Sequence, residues 1–191
     1  LSTTLPFTDV KNTDWCFSEV ARVYADGIMG GTSNTTFSPA GPLTRGQVVA
    51  MLYRMAGSPA VTANTTGFSD VDNGAYYADA VKWASGKEIV GGYADGTFAP
   101  NRAITREQLA AILYRYAKAN GADISVGEDT NLLSYKDFQS VGQYAVPALQ
   151  WAVGSGLIGG TTNATLSPKG TATRAQAAVI LVRFVGMTAA K

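Results

Sequence analysis

Apolar residues recur at helical spacing in three separate stretches: Val48, Met51, Leu52 and Met55; Leu109, Ile112, Leu113 and Tyr116; Ala177, Ile180, Leu181 and Phe184. An i, i+3, i+4, i+7 stripe is one face of a helix turned toward a core. Each stretch is opened by the same tetrapeptide pattern, Thr-Arg-x-Gln, as Thr44-Arg45-Gly46-Gln47, Thr105-Arg106-Glu107-Gln108 and Thr173-Arg174-Ala175-Gln176. Thr and Gln three residues apart form a capping box, in which the Thr hydroxyl accepts from one orphan amide and the Gln side chain accepts from another. A shorter helical pattern lies upstream of each, carrying Val20 and Val23, Val81 and Ala84, or Leu149 and Ala152, and each begins after an aromatic residue: Trp15, Tyr76 or Tyr144. The pattern predicts a mostly α protein with two amphipathic helices in each of three similar segments.

The other landmarks keep the same order in every segment, which makes this an internal repeat. The arginines of the capping boxes are spaced by 61 residues (45 to 106) and 68 residues (106 to 174). An aromatic and an Asp two residues on open each copy: Phe7 and Asp9, Phe68 and Asp70, Tyr135 and Asp137. Paired glycines follow the first helix at Gly30-Gly31, Gly91-Gly92 and Gly159-Gly160, where they read as C-caps with positive φ. A polar turn then leads to Pro39, Pro100 or Pro168, five residues ahead of the capping Thr. Polar, breaker-containing stretches from Gly57 to Gly67 and from Asn120 to Ser134 divide the chain into residues 1–60, 61–127 (with its linker) and 128–191. A unit of about 60 residues has a marginal core on its own. Packing of the three around a pseudo-threefold axis, in one mostly helical body, is therefore expected over three separate beads.

Composition narrows the chemistry. With 15 Lys and Arg against 14 Asp and Glu in 191 residues, no overall charge draws the chain to nucleic acid or an anionic membrane, so any anion recognition must be local. The absence of His removes imidazole metal sites and Ser-His-Asp chemistry. The single cysteine, Cys16, reads as a buried inert thiol. No apolar run is long enough to span a bilayer, and Leu1-Ser2-Thr3-Thr4 carries no leader features, so export would require a signal upstream. Asp70, Asp72 and Asp79 sit at turn or cap positions and do not form the carboxylate pair a glycosidase needs, so no enzyme, metal or cofactor is expected. Glycosylation patterns at Asn34, Asn64 and Asn163 are short enough to arise by chance.

The capping boxes leave one residue unexplained. A cation in the first helical turn faces the positive end of the macrodipole, and Arg45, Arg106 and Arg174 all stand there. Three recurrences suggest that something negative meets them. A second recurrent arginine, Arg54, Arg115 or Arg183, lies nine residues on and therefore on the opposite helix face, where an ion pair with Asp9, Asp70 or Asp137 is expected.

The order Phe-x-Asp-Val, aromatic, Gly-Gly, Asp-Gly-Thr-Phe-x-Pro, Thr-Arg-x-Gln resembles the S-layer homology (SLH) module, which occurs in tandem triplets. The second repeat is nearest to that pattern, with Phe68-Ser69-Asp70-Val71, Gly91-Gly92-Tyr93-Ala94-Asp95-Gly96-Thr97-Phe98-Ala99-Pro100 and Thr105-Arg106-Glu107-Gln108. The resemblance implies a three-pronged spindle around a central three-helix bundle, acting as a non-catalytic anchor at the bacterial cell wall or S-layer. It implies ligand grooves between neighbouring repeats for a secondary cell-wall polysaccharide carrying pyruvate ketals on N-acetylmannosamine. It also implies a larger parent surface protein or enzyme.

In the family the Arg of the capping motif contacts the ligand, which falls here on Arg45, Arg106 and Arg174. Anion logic adds the first glycines Gly30, Gly91 and Gly159 for close approach of a sugar, and Trp15, Tyr76 and Tyr144 as flat faces for its ring. Gln47, Gln108 and Gln176 stand where the family has Glu, keeping the cap while removing an acid beside the Arg, and they are expected among the ligand-binding residues. The alternative reading is a structural module for protein–protein assembly of a surface layer. Repeats 1 and 3 depart from the pattern at Thr32-Ser33-Asn34-Thr35-Thr36 and Thr161-Thr162-Asn163-Ala164-Thr165, so three equal sites are not expected.

Overall fold

A computed structural model describes residues 4–161 and 164–189. The Thr162-Asn163 part of the third polar turn, with its glycosylation pattern, lies outside them, as does the start Leu1-Ser2-Thr3. Among the described residues the chain is mostly α, with six α-helices, three short 3-10 helices and no strand beyond isolated bridges. The helices are α1 (Phe17–Ala25), α2 (Arg45–Met55), α3 (Ala78–Gly86), α4 (Arg106–Ala119), α5 (Val146–Gly154) and α6 (Arg174–Ala189). Two helices fall in each repeat, as the apolar pattern requires.

All three capping boxes form. The hydroxyls of Thr44, Thr105 and Thr173 accept from the amides of Gln47, Gln108 and Gln176, and the Gln Oε1 atoms accept in return from the Thr amides, at 3.1–3.3 Å throughout. Pro147 lies in the first turn of α5, where its missing N–H costs nothing. The stripes predicted for α4 and α6 are buried throughout, and in α2 only Met55 at the frayed end remains half-buried.

Helix pairing crosses from one repeat to another. The second helix of each repeat packs on the first helix of another: α2 on α3, α4 on α5, and α6 on α1. Two compact units result. One joins Leu1–Leu43 to Ala172–Lys191 through the α1 and α6 pair, and the other is Thr44–Thr171 with the remaining two pairs. Cys16 is buried in the first unit as a free thiol, and burial raises its pKa, which keeps it in the unreactive form.

The paired glycines are not the C-caps that the sequence suggests. The left-handed residue after α1, α3 and α5 is Gly27, Glu88 or Gly156, three residues earlier, and neither member of any pair has positive φ. The second glycine of each pair is required by packing. A Cβ on Gly31 or Gly92 would run into the ring of Phe7 or Phe68, and one on Gly160 would press on that of Tyr135 at 3.1 Å, in each case the aromatic that opens the same repeat. Phe7 and Phe68 also stack on Phe37 and Phe98, with centroids 5.5 and 5.4 Å apart.

The opening aspartates have a different partner from the one expected. Both carboxylate oxygens of Asp9 accept backbone amides, from Phe37 and Ser38 at 2.8 Å. Asp70 does the same for Phe98 and Ala99, and Asp137 for Leu166 and Ser167, at 2.7–2.8 Å. The second arginines therefore do not pair with these acids, because the acids are already committed to backbone. Burial would raise the Asp9 carboxyl, but the amides of Phe37, Ser38 and Asp9 itself outweigh it and hold it below its ordinary value. The clamp serves a strained turn. Ser38, Ala99 and Ser167 all have φ between 51° and 58°, although each precedes a proline, where extended backbone is normal.

Candidate functional site: the Arg45 groove

The capping-box arginines reach across to the next repeat. In the unit Thr44–Thr171, the Arg45 Nε–H donates to the Phe98 carbonyl and its Nη2 to the Gly91 carbonyl, both at 2.9 Å. Arg106 likewise donates to Leu166 at 2.9 Å and to Gly159 at 2.8 Å. In the other unit Arg174 donates to Phe37 at 2.8 Å and to Gly30 at 2.6 Å. The same peptide is thus held from two sides: an Asp takes the amides at Phe98 and Ala99 while an Arg takes the Phe98 carbonyl. Part of the arginine recurrence has this structural cause, which the dipole argument alone did not supply.

The charge is still left over. Arg45 and Arg106 are only 7% exposed, and neither forms an ion pair with an acid among the described residues. Burial pulls both guanidinium groups below their ordinary value, although they stay charged. For Arg45, Tyr93 and then Asp70 partly offset this while nearby Arg102 adds to it, and for Arg106 Asp137 offsets it by attraction at a distance. Arg45 also lies over the rings of Phe98 and Tyr93, at 4.7 and 5.1 Å from their centroids. Two of its five N–H donors are spent on carbonyls, and the rest remain available.

Arg45 opens onto a groove of about 360 Å³, within the roughly 300–1,000 Å³ typical of small-molecule sites. Gly91, Gln108 and Tyr144, all expected from the sequence to serve a site, line it with Arg45. A Cβ on Gly91 would meet nothing within 4 Å, so the space above this glycine belongs to the groove. Gln108 uses its Oε1 in the cap, which leaves its amide nitrogen for other work. The same openness is found at Gly30 and Gly159. Trp15 and Tyr76 are 69% and 66% exposed, so their faces are open to solvent, and Tyr76 stands edge-on to Tyr77. Gln47 and Gln176 complete their caps.

Two residues of the groove were missed or misassigned from sequence. Arg115 of α4 lines it, adding a second cation to that of Arg45 from α2; the two come from different helices of different repeats. Tyr93 forms part of the wall, and its hydroxyl is buried with no hydrogen-bond partner among the described residues. Its signal in the sequence was a substitution: repeats 1 and 3 carry Thr32 and Thr161 at this place.

Tyr144 is 53% exposed, and its hydroxyl donates to Glu107 Oε1 at 3.1 Å. Burial of the hydroxyl end, followed by the nearby Glu107 charge and the hydrogen bond to it, pushes the phenol up to about 12. The phenol is therefore a neutral donor at all physiological pH. Because the folded value lies above the unfolded one, the associated stabilisation is fully present below about pH 10 and fades between about 10 and 12. Ultraviolet difference titration of the protein against Tyr144→Phe is expected to show one phenol ionising near 12. Its ionisation near 10 would mean that the hydroxyl is neither buried nor held by Glu107 in solution.

No group of His, Cys, Asp or Glu suited to a metal ion occurs among the described residues, and no helix there is long and apolar enough to cross a membrane. Comparison with known proteins places the chain firmly. The family model described as the S-layer homology domain matches residues 6–49, 67–110 and 134–178. An endoglucanase of Bacillus sp. (strain KSM-635) is 37% identical over 180 residues, covering 94% of this chain and 19% of that protein. A cellulosome-anchoring protein of Acetivibrio thermocellus is 25% identical over 185 residues, covering 93% of this chain and 40% of that protein. The surface-layer 125 kDa protein of Lysinibacillus sphaericus is 26% identical over 162 residues, covering 83% of this chain and 13% of that protein. The chain thus spans less than half the length of each of these relatives. With all three matches falling on the repeats that carry the capping boxes, the chain belongs to the S-layer homology domain family as a triplet of its repeat.

Proposed function

We propose that the chain is a non-catalytic surface anchor that binds an anionic, pyruvylated secondary cell-wall polysaccharide, with the Arg45 groove as one of its sites. The relatives are cell-surface proteins, a cellulosome-anchoring protein and enzymes far longer than the match, which supports a module that holds a larger partner at the bacterial surface. The observation that carries the ligand reading is the buried Arg45 guanidinium, held only by carbonyls and opening onto a groove where Gly91 leaves room for a ring. A buried cation without a carboxylate is stabilised by an incoming anion, and a guanidinium fork suits the carboxylate of a pyruvate ketal. Arg115 adds to the positive field, and the Gln108 amide supplies a polar contact. Tyr144 offers its face to the sugar. Arg106 with Gly159, and Arg174 with Gly30, repeat the same Arg-to-glycine arrangement and carry the same role.

Titration calorimetry with purified wall polymer, before and after mild acid removes the ketal, tests this. Binding is expected only to the intact polymer. Equal binding to both forms would overturn the anion reading, and capture by polymer-free surface-layer protein instead would support the assembly module.

A further inference from the structure

Glu107 is the most unusual acid in the chain. It is 2% exposed and sits in the first turn of α4, inside the second capping box. Its Oε2 accepts the Gly142 amide at 2.9 Å, its Oε1 accepts the Tyr144 hydroxyl at 3.1 Å, and Lys169 pairs with it from the surface. The helix N-terminus favours this negative charge. The other two capping boxes carry Gly46 and Ala175 at the same place, so the arrangement is built into repeat 2 alone. Nothing in helix formation requires it. What the carboxylate does hold is the segment Gly142 to Tyr144, whose aromatic ring lines the Arg45 groove.

We propose that Glu107 is a positioning residue of this groove: by fixing Tyr144 through its hydroxyl and Gly142 through its amide, it presents a preset aromatic wall to a sugar whose carboxylate sits on Arg45. The inference rests on the wall-polymer reading of the groove. Its physical basis is that an exposed aromatic left free must be ordered on binding, which costs affinity, whereas one already pinned by a buried carboxylate does not. Glu107 itself lines no part of the groove; it acts only through Tyr144 and Gly142.

The test follows the Gly91 and Gly92 amides by two-dimensional NMR during titration with the pyruvate ketal of methyl N-acetylmannosaminide, so that only this groove is read. Glu107→Ala is expected to weaken binding about fivefold. Tyr144→Phe keeps the ring, removes only the anchoring hydroxyl and cannot unfold a half-exposed site, and it is expected to lose a similar factor. Glu107→Gln keeps one acceptor oxygen for the Gly142 amide and turns its NH2 toward the Tyr144 hydroxyl, which can accept as well as donate, so binding should return to within about twofold of wild type. In a Tyr144→Ala background the Glu107→Ala change should have no further effect on affinity, which a merely structural role would not predict. Unchanged affinity in Tyr144→Phe, or equal losses from Glu107→Ala with and without Tyr144, overturns the positioning role while leaving the wall-polymer reading intact. Amides that fail to move in the wild-type protein overturn both.

Discussion

Arg45→Ala is expected to do two things at once: remove binding at its groove and destabilise the Thr44–Thr171 unit by about 2–4 kcal/mol. The stability loss follows from the carbonyls of Phe98 and Gly91, which lose a charge-assisted donor each, the former in a fully buried position. For a domain of this size, that corresponds to a fall in melting temperature of roughly 5–15 °C. Arg45→Lys should recover little of either effect, because an ammonium cannot place two donors on carbonyls in a fork. Thermal denaturation followed by circular dichroism measures the first effect, and calorimetry on the folded fraction the second. A full loss of binding without any loss of stability would mean that the carbonyl bonds are not formed in solution. The practical consequence is that alanine at this arginine cannot by itself assign a ligand contact, since the same guanidinium holds the groove together.

Gly91→Ala separates the two roles. The added methyl meets no protein atom within 4 Å and Gly91 does not have positive φ, so folding should be unaffected, within about 0.5 kcal/mol. The methyl projects into the groove above the Arg45 contact, and binding there is expected to fall at least tenfold, the loss of about 1.4 kcal/mol that one clash with a close-fitting sugar entails. Gly92→Ala provides the contrast. Its Cβ would collide with the Phe68 ring and lie 2.7 Å from the Thr97 carbonyl, so it should lower stability before it affects any ligand. If Gly91→Ala binds as well as wild type, no sugar approaches this backbone.

What the sequence revealed was what local spacing dictates. The apolar stripes and the reciprocal Thr and Gln caps depend on residues within a turn or two of one another, the triplication on the recurrence of those local patterns, and they appear in the fold as read. The arginine was legible only as an anomaly. Its partners, Gly91 and Phe98 for Arg45, lie 46 and 53 residues away, and no local rule points to them. The glycine pairs were noticed for the wrong reason: their helices end on Gly27, Glu88 and Gly156, while the second glycine of each pair makes way for an aromatic from the start of the repeat.

Charge matching between the recurrent Asp and the second recurrent Arg also misled. Pairing acids with bases by count ignores the backbone, which in this fold uses the carboxylates: a left-handed residue before proline presents two adjacent amides, and the Asp accepts both. The Arg45 groove itself was half legible. Arg45, Gly91, Gln108 and Tyr144 were named from sequence and meet in it, whereas Tyr93 and Arg115 join them only because α2 and α4 come from different repeats.

The central claim is that a sugar-borne carboxylate lies against Arg45 in the space left by Gly91. The most direct measurement is the shift of the Gly91 and Gly92 amides on titration with the pyruvate ketal of methyl N-acetylmannosaminide, alongside the same sugar without its ketal. Saturable shifts with the ketal, none with the plain sugar and at least tenfold weaker saturation in Gly91→Ala are the predicted result. Shifts of equal size with both sugars, or amides that stay still while the protein binds whole wall polymer, would contradict it.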